Sequence, residues 1–119
     1  MEVLFIEYPK CTTCKKALKY LQDQGVKVER RHIVEEVPTP AELKEWMMKS
    51  GLDFKRFFNT SGQVYREMKL KDQVKEMSID EAANLLATNG MLIKRPILVT
   101  DKAVCVGFKE AEYEKIIKG

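Results

Sequence analysis

The feature that most constrains this chain lies within its first 33 residues. Val3-Leu4-Phe5-Ile6 is a short, unbroken apolar run, the pattern of a strand buried on both faces. Cys14, Ala17, Leu18 and Leu21 then recur at i, i+3, i+4 and i+7, which predicts an amphipathic helix closed by Gly25. Val26 and Val28 alternate with Lys27 and Glu29 and predict a second strand running to Ile33. Strand, helix and strand in so short a span form a βαβ unit, whose crossover is right-handed in nearly every known sheet.

The middle of the chain changes period. Thr39-Pro40-Ala41-Glu42 is a capping box with proline at the first helical position, opening a helix through Leu43, Trp46 and Met47 to Gly51. Phe54 to Phe58 predicts one more short helical turn before Asn59-Thr60-Ser61-Gly62. A second capping box, Ser78-Ile79-Asp80-Glu81, opens a helix with Ala82, Leu85 and Leu86 on its apolar face. Trp46, Met47, Phe57 and Phe58 are expected as core of this block. Strands return at Ile97-Leu98-Val99 and Val104-Cys105-Val106, separated by a turn at residues 100–103, and a closing helix runs from Glu110 to Ile117. The expected fold class is α/β: a thioredoxin-like mixed sheet, βαβ then ββα, with a helical insertion between the halves. Residues 1–36 and 91–119 would form the core and residues 37–90 the insert.

Composition narrows the function classes. The chain of 119 residues has the length of one domain. Its 21 Lys and Arg against 18 Asp and Glu leave a charge of +3 with no basic block, which argues against direct nucleic-acid binding. No apolar stretch approaches the roughly 20 residues of a membrane span. The N-terminus lacks the pattern of a signal peptide. A cytoplasmic monomer is expected, and three cysteines in such a chain point to catalysis, metal or packing rather than a disulfide scaffold.

Two of those cysteines, Cys11 and Cys14, stand at the junction of the first strand and helix. Backbone N–H groups at a helix start lack partners, and the helix dipole adds partial positive charge, so a thiolate is favoured there. Lys10, Lys15 and Lys16 add positive charge nearby. Cys14 lies one turn on, within reach of a disulfide. Cys11 is expected to attack and Cys14 to resolve the mixed disulfide. Two other readings stay open: two packed cysteines, or a zinc site to which His32 and Cys105 would contribute without ligand spacing. Cys105 alternates within an apolar strand and reads as core, and His32 as a structural or surface residue. Arg95-Pro96 precedes an apolar strand; Arg95 is either a solvated side chain or the holder of an anion, and the isomer of Pro96 is not written in the sequence.

Taken together, PKCTTCKKAL, FFNTSGQVYREM, LIKRPILV and VGFKEAEYEKII resemble the ArsC/Spx family of arsenate reductase-like proteins over essentially the whole chain. The resemblance implies a reactive Cys11, a cis-proline at Pro96, and Arg95 as an anion-binding residue. It implies that Thr12, Thr13 and Lys15 flank the anion, with no cofactor and no metal. Glutaredoxin-linked arsenate reductases of the family carry one cysteine followed by Gly-Thr-Ser-Arg and hold the oxyanion with three arginines. Here Thr12, Cys14 and Lys15 replace the Gly, Ser and Arg; Asn59 and Phe108 stand near where two of the arginines would be. The resemblance implies a thiol reductant as partner, either glutaredoxin or glutathione, or thioredoxin. Spx-type regulators share the C-x-x-C switch and an Arg-Pro pair, which implies an alternative partner, the RNA polymerase α subunit.

Overall fold

The computed structural model describes residues 2–118, which form two compact units, residues 2–32 with 95–118, and residues 33–94. In the first, β1 (Glu2–Glu7), α1 (Thr12–Asp23) and β2 (Lys27–His32) are followed, after the residues of the second unit, by β3 (Ile97–Val99), β4 (Val104–Val106) and α6 (Glu110–Lys118). The strands hydrogen-bond in the order β2-β1-β3-β4. β1 pairs parallel with β2 and antiparallel with β3, and β3 and β4 form an antiparallel hairpin. This is the thioredoxin-like mixed sheet that the sequence implies.

Register explains the core. Phe5 pairs with Leu98 and Leu98 with Cys105, so these three line one face of the sheet together with Val3. Ala17 and Leu21 from α1 and Tyr113 from α6 pack onto that face, all buried. The Tyr113 hydroxyl donates to the Gly107 carbonyl oxygen at 2.9 Å, which satisfies its one polar atom inside the core. Cys105 is core, as expected, and its thiol also donates to Glu112 Oε2 at 3.3 Å. β2 is an edge strand with a mostly polar sequence, KVERRH. Its Arg30 reaches back to the buried carboxylate of Glu7 at 2.5 Å, which supplies the partner that a buried charge requires.

α1 ends as its sequence requires. The Val26 N–H donates to the Leu21 carbonyl and the Gly25 N–H to that of Gln22, a Schellman arrangement that needs Gly25 at φ 73°.

The second unit is helical. α2 (Pro40–Ser50) and α5 (Ile79–Leu86) each carry a complete capping box, Thr39 with Glu42 and Ser78 with Glu81. Lys44 and Asp80 join these helices through an ion pair at 2.7 Å. Between them lie a 3-10 turn at Phe54–Phe57, α3 (Gln63–Glu67), α4 (Leu70–Gln73) and further 3-10 turns at Val74–Glu76 and, after α5, Gly90–Leu92. Phe58 and Ile93 form an isolated antiparallel bridge, flanked by Asn59 N–H to Leu92 O and Lys94 N–H to Phe57 O, both 2.7 Å. Trp46, Met47, Phe57 and Phe58 are buried. Among the described residues no helix is long and apolar enough to cross a membrane.

Candidate active site

The loop from β1 into α1 builds the site. Cys11 is the N-cap of α1, in extended conformation at φ −79° and ψ 124°, and its N–H donates to the Tyr8 carbonyl at 2.9 Å. No acidic side chain occupies the first turn of α1 to oppose a thiolate there. Thr12 and Thr13 open the helix with exposed side chains, and Lys10, Lys15 and Lys16 are exposed as well. Cys14, one turn further, is fully buried, whereas Cys11 is partly accessible; both thiols are free.

The surroundings drive the two sulfurs apart. Burial pushes the Cys11 thiol up, but the backbone and thiol of Cys14, the Thr13 backbone and the Arg95 charge outweigh it and bring Cys11 below its ordinary value. Burial likewise pushes Cys14 up; the Tyr8 backbone opposes this, the hydrogen bond and charge of Cys11 reinforce it, and the thiol rises to about 12. The surroundings thus favour the thiolate at Cys11 and the protonated thiol at Cys14.

Arg95 supplies the charge that bears on both sulfurs. Its Nε and Nη1 are buried and have no hydrogen-bond partner among the described residues. Its guanidinium carbon stands 5.2 Å from the centroid of the Tyr8 ring, and that ring meets His32 edge-on at 5.8 Å. The Arg95–Pro96 bond is cis, as the resemblance implies, and the buried Pro96 accepts the Gly107 N–H at 2.8 Å. Two buried donors without a partner among the described residues carry an unrelieved desolvation cost, which an anion accepting from them would remove.

The structure brings Cys11, Cys14 and Arg95 into one electrostatic unit, with Pro96 next to Arg95 in the chain. Thr13 contributes through its backbone, and the Thr12 and Lys15 side chains are exposed. Asn59 belongs to the second unit, where its Oδ1 accepts from Ser61 Oγ at 3.4 Å. Phe108 packs edge-on against Tyr113 with centroids 4.8 Å apart, a core role. Among the described residues no cluster of three or more His, Cys, Asp or Glu side chains could hold a metal ion. Sequence reasoning missed the Tyr8 ring beside Arg95; the signal available was an aromatic residue three positions before Cys11.

Comparison with known proteins bears on the family and the fold. The ArsC family model matches residues 6–116. YusI of Bacillus subtilis, itself uncharacterised, is 50% identical over 97% of this chain and 98% of its own length. The regulatory protein MgsR of B. subtilis is 30% identical over 98% of this chain and 91% of its own. A crystal structure from Streptococcus mutans, described as a possible arsenate reductase, superposes with a TM-score of 0.89 at 45% identity, covering 97% of each chain. With the family model spanning nearly its whole length and a thioredoxin-like sheet presenting Cys11 at a helix start, this chain belongs to the ArsC family.

Proposed function

We propose that the protein is a thiol–disulfide oxidoreductase of the cytoplasm, acting as a monomer without cofactor or metal, with Cys11 as nucleophile and Cys14 as resolving thiol. The observation that carries this reading is the pairing of a low-pKa, partly accessible Cys11 with the two unpartnered Arg95 donors. On a disulfide substrate, the Cys11 thiolate attacks one sulfur, the S–S bond breaks, and the leaving thiolate takes up a proton. Cys14 then loses its proton and attacks the Cys11 sulfur, releasing the second half as a thiolate. The substrate has gained two electrons and the protein holds a Cys11–Cys14 disulfide, which an external thiol such as glutaredoxin, glutathione or thioredoxin reduces.

The order of steps follows from the electrostatics. While Cys11 is an anion, its hydrogen bond and charge keep the proton on Cys14. Once the Cys11 sulfur is covalently occupied, both effects vanish and Cys14 ionises more easily, just when it is needed. An oxyanion such as arsenate fits the same scheme: it exchanges a hydroxyl, lost as water, for the Cys11 sulfur, and leaves as the reduced oxyanion when Cys14 attacks. Arg95, with Thr12, Thr13, Lys15 and Pro96, would hold it. One guanidinium in place of the three used by glutaredoxin-linked relatives gives fewer charge-assisted contacts, so thiol exchange is the principal activity proposed and arsenate reduction a weaker one. The test is turnover of a disulfide substrate and of arsenate, with glutaredoxin and thioredoxin as alternative donors. Cys11→Ser is expected to abolish turnover of both, and Cys14→Ser to trap a mixed disulfide visible by mass spectrometry. Full turnover by Cys11→Ser would reject the assignment.

The likeness to MgsR supports a second reading, a redox-sensing regulator without turnover. The Spx resemblance supplies the RNA polymerase α subunit as its partner. Capture of the purified α subunit in one redox state and not the other would favour it; no capture in either state would exclude it.

A further inference from the structure

Arg95 carries its charge into the site without the hydrogen bonds that usually fix a guanidinium. Its Nε and Nη1 have no partner among the described residues, yet a donor plane must be aimed to serve an anion. What the guanidinium does touch is an aromatic face, that of Tyr8 at 5.2 Å from the ring centroid, inside the range in which a ring quadrupole attracts a cation. Tyr8 is itself held. It follows Glu7, the last residue of β1 and the register partner of His32 in β2, and the His32 ring meets it at 5.8 Å and 87°. Its main chain is engaged as well: the carbonyl accepts from Cys11 N–H, and its backbone bears on the Cys14 sulfur.

We propose that Tyr8 is a positioning residue of the redox site, its ring face acting as the platform that sets the Arg95 guanidinium where it favours an anion at Cys11. The inference rests on the reading of Cys11 as nucleophile and Arg95 as anion holder given above. It assigns Tyr8 two roles at once, with the main chain seating Cys11 and the ring seating the cation. The hydroxyl is not part of the device, since the ring face supplies the attraction. A ring platform also leaves Nε and Nη1 without a competing acceptor, which a carboxylate partner would not. The site is thereby suited to small anionic substrates or anionic ends of larger ones.

The test compares alkylation of Cys11 in the full-length reduced protein by iodoacetate, an anion, and by iodoacetamide, its neutral analogue. The ratio of the two rate constants reports the positive charge at the sulfur independently of the thiolate fraction. Arg95→Gln is expected to lower that ratio. Tyr8→Phe, which keeps the face, should leave it within about twofold, whereas pentafluorophenylalanine at position 8, with the same shape and a reversed quadrupole, should lower it by about three- to tenfold. Combining pentafluorophenylalanine with Arg95→Gln should give no loss beyond that of Arg95→Gln alone. Because the fluorinated ring fills the same space, a structural role for Tyr8 would not move the ratio. If the fluorinated variant keeps the ratio of Tyr8→Phe while Arg95→Gln lowers it, the platform is rejected and the redox reading stands. If Arg95→Gln leaves the ratio unchanged, or if Cys11 is not the residue alkylated, the reading beneath the platform falls with it.

Discussion

One helical turn separates Cys11 from Cys14, and the proton each holds at neutral pH is decided by what lies within reach of its sulfur. Cys14 keeps its proton up to about 12 in the folded chain, against an ordinary value of 9.0. A thiol whose folded value is raised stabilises the fold fully below about pH 9 and loses that contribution as pH climbs toward 12, because the unfolded chain sheds the proton first. Urea unfolding of wild type is therefore expected to weaken across this alkaline window more steeply than that of Cys14→Ala, and parallel slopes would contradict it. Cys11 behaves in the opposite sense. Arg95→Gln should raise its pKa only modestly, since Arg95 is the last of several causes, and thiolate absorbance against pH measures this. At this scale the sequence disclosed where Cys11 and Cys14 stand, because C-x-x-C at a strand–helix junction fixes their placement by local geometry alone. It did not disclose the contact between Tyr8 and Arg95, since the two lie 87 positions apart in the chain.

Among the elements, those with local signals were the legible ones. Both capping boxes are formed with the residues that the sequence nominated, since an N-cap is a contact across three positions. Thr39→Ala and Ser78→Ala should each cost about 1 kcal/mol. Their effects should add within about 0.5 kcal/mol, because the two caps share no hydrogen bond, and chemical denaturation of the single and double variants measures it. The segment 63–76 was not legible as α3, α4 and a 3-10 turn. Each of those pieces is under two turns long, too short to show a period, and Lys69 interrupts them at φ 54°. Gly90 is a further case. Its role is close approach: a Cβ there would lie 2.2 Å from the Ile33 carbonyl oxygen and 2.8 Å from its carbon. Backbone cannot swing aside as a side chain can, so Gly90→Ala should destabilise by about 3 kcal/mol or more, read from the denaturation midpoint.

At the scale of the whole molecule, the unit that carries the thiols is assembled from both ends of the chain, residues 2–32 and 95–118. A chain truncated after Lys94 would keep the C-x-x-C but lose Arg95, the β3 partner of β1, and Leu98, Cys105 and Tyr113 from the core. Its Cys11 should then alkylate at neutral pH at the rate of an unfolded peptide thiol, and enhanced reactivity persisting in the fragment would show that the helix start suffices without the rest. The sequence by itself determined the strands, the capped helices and the thiol at the head of α1, because periodicity, caps and helix-end electrostatics act over a few residues. Only the tertiary structure decided that Arg95 stands over Tyr8 with two donors unpaired, that Glu7 is buried against Arg30, and that Gly90 touches Ile33. These are contacts between residues far apart in sequence, and no local pattern encodes a distance that exists only after the chain has closed upon itself.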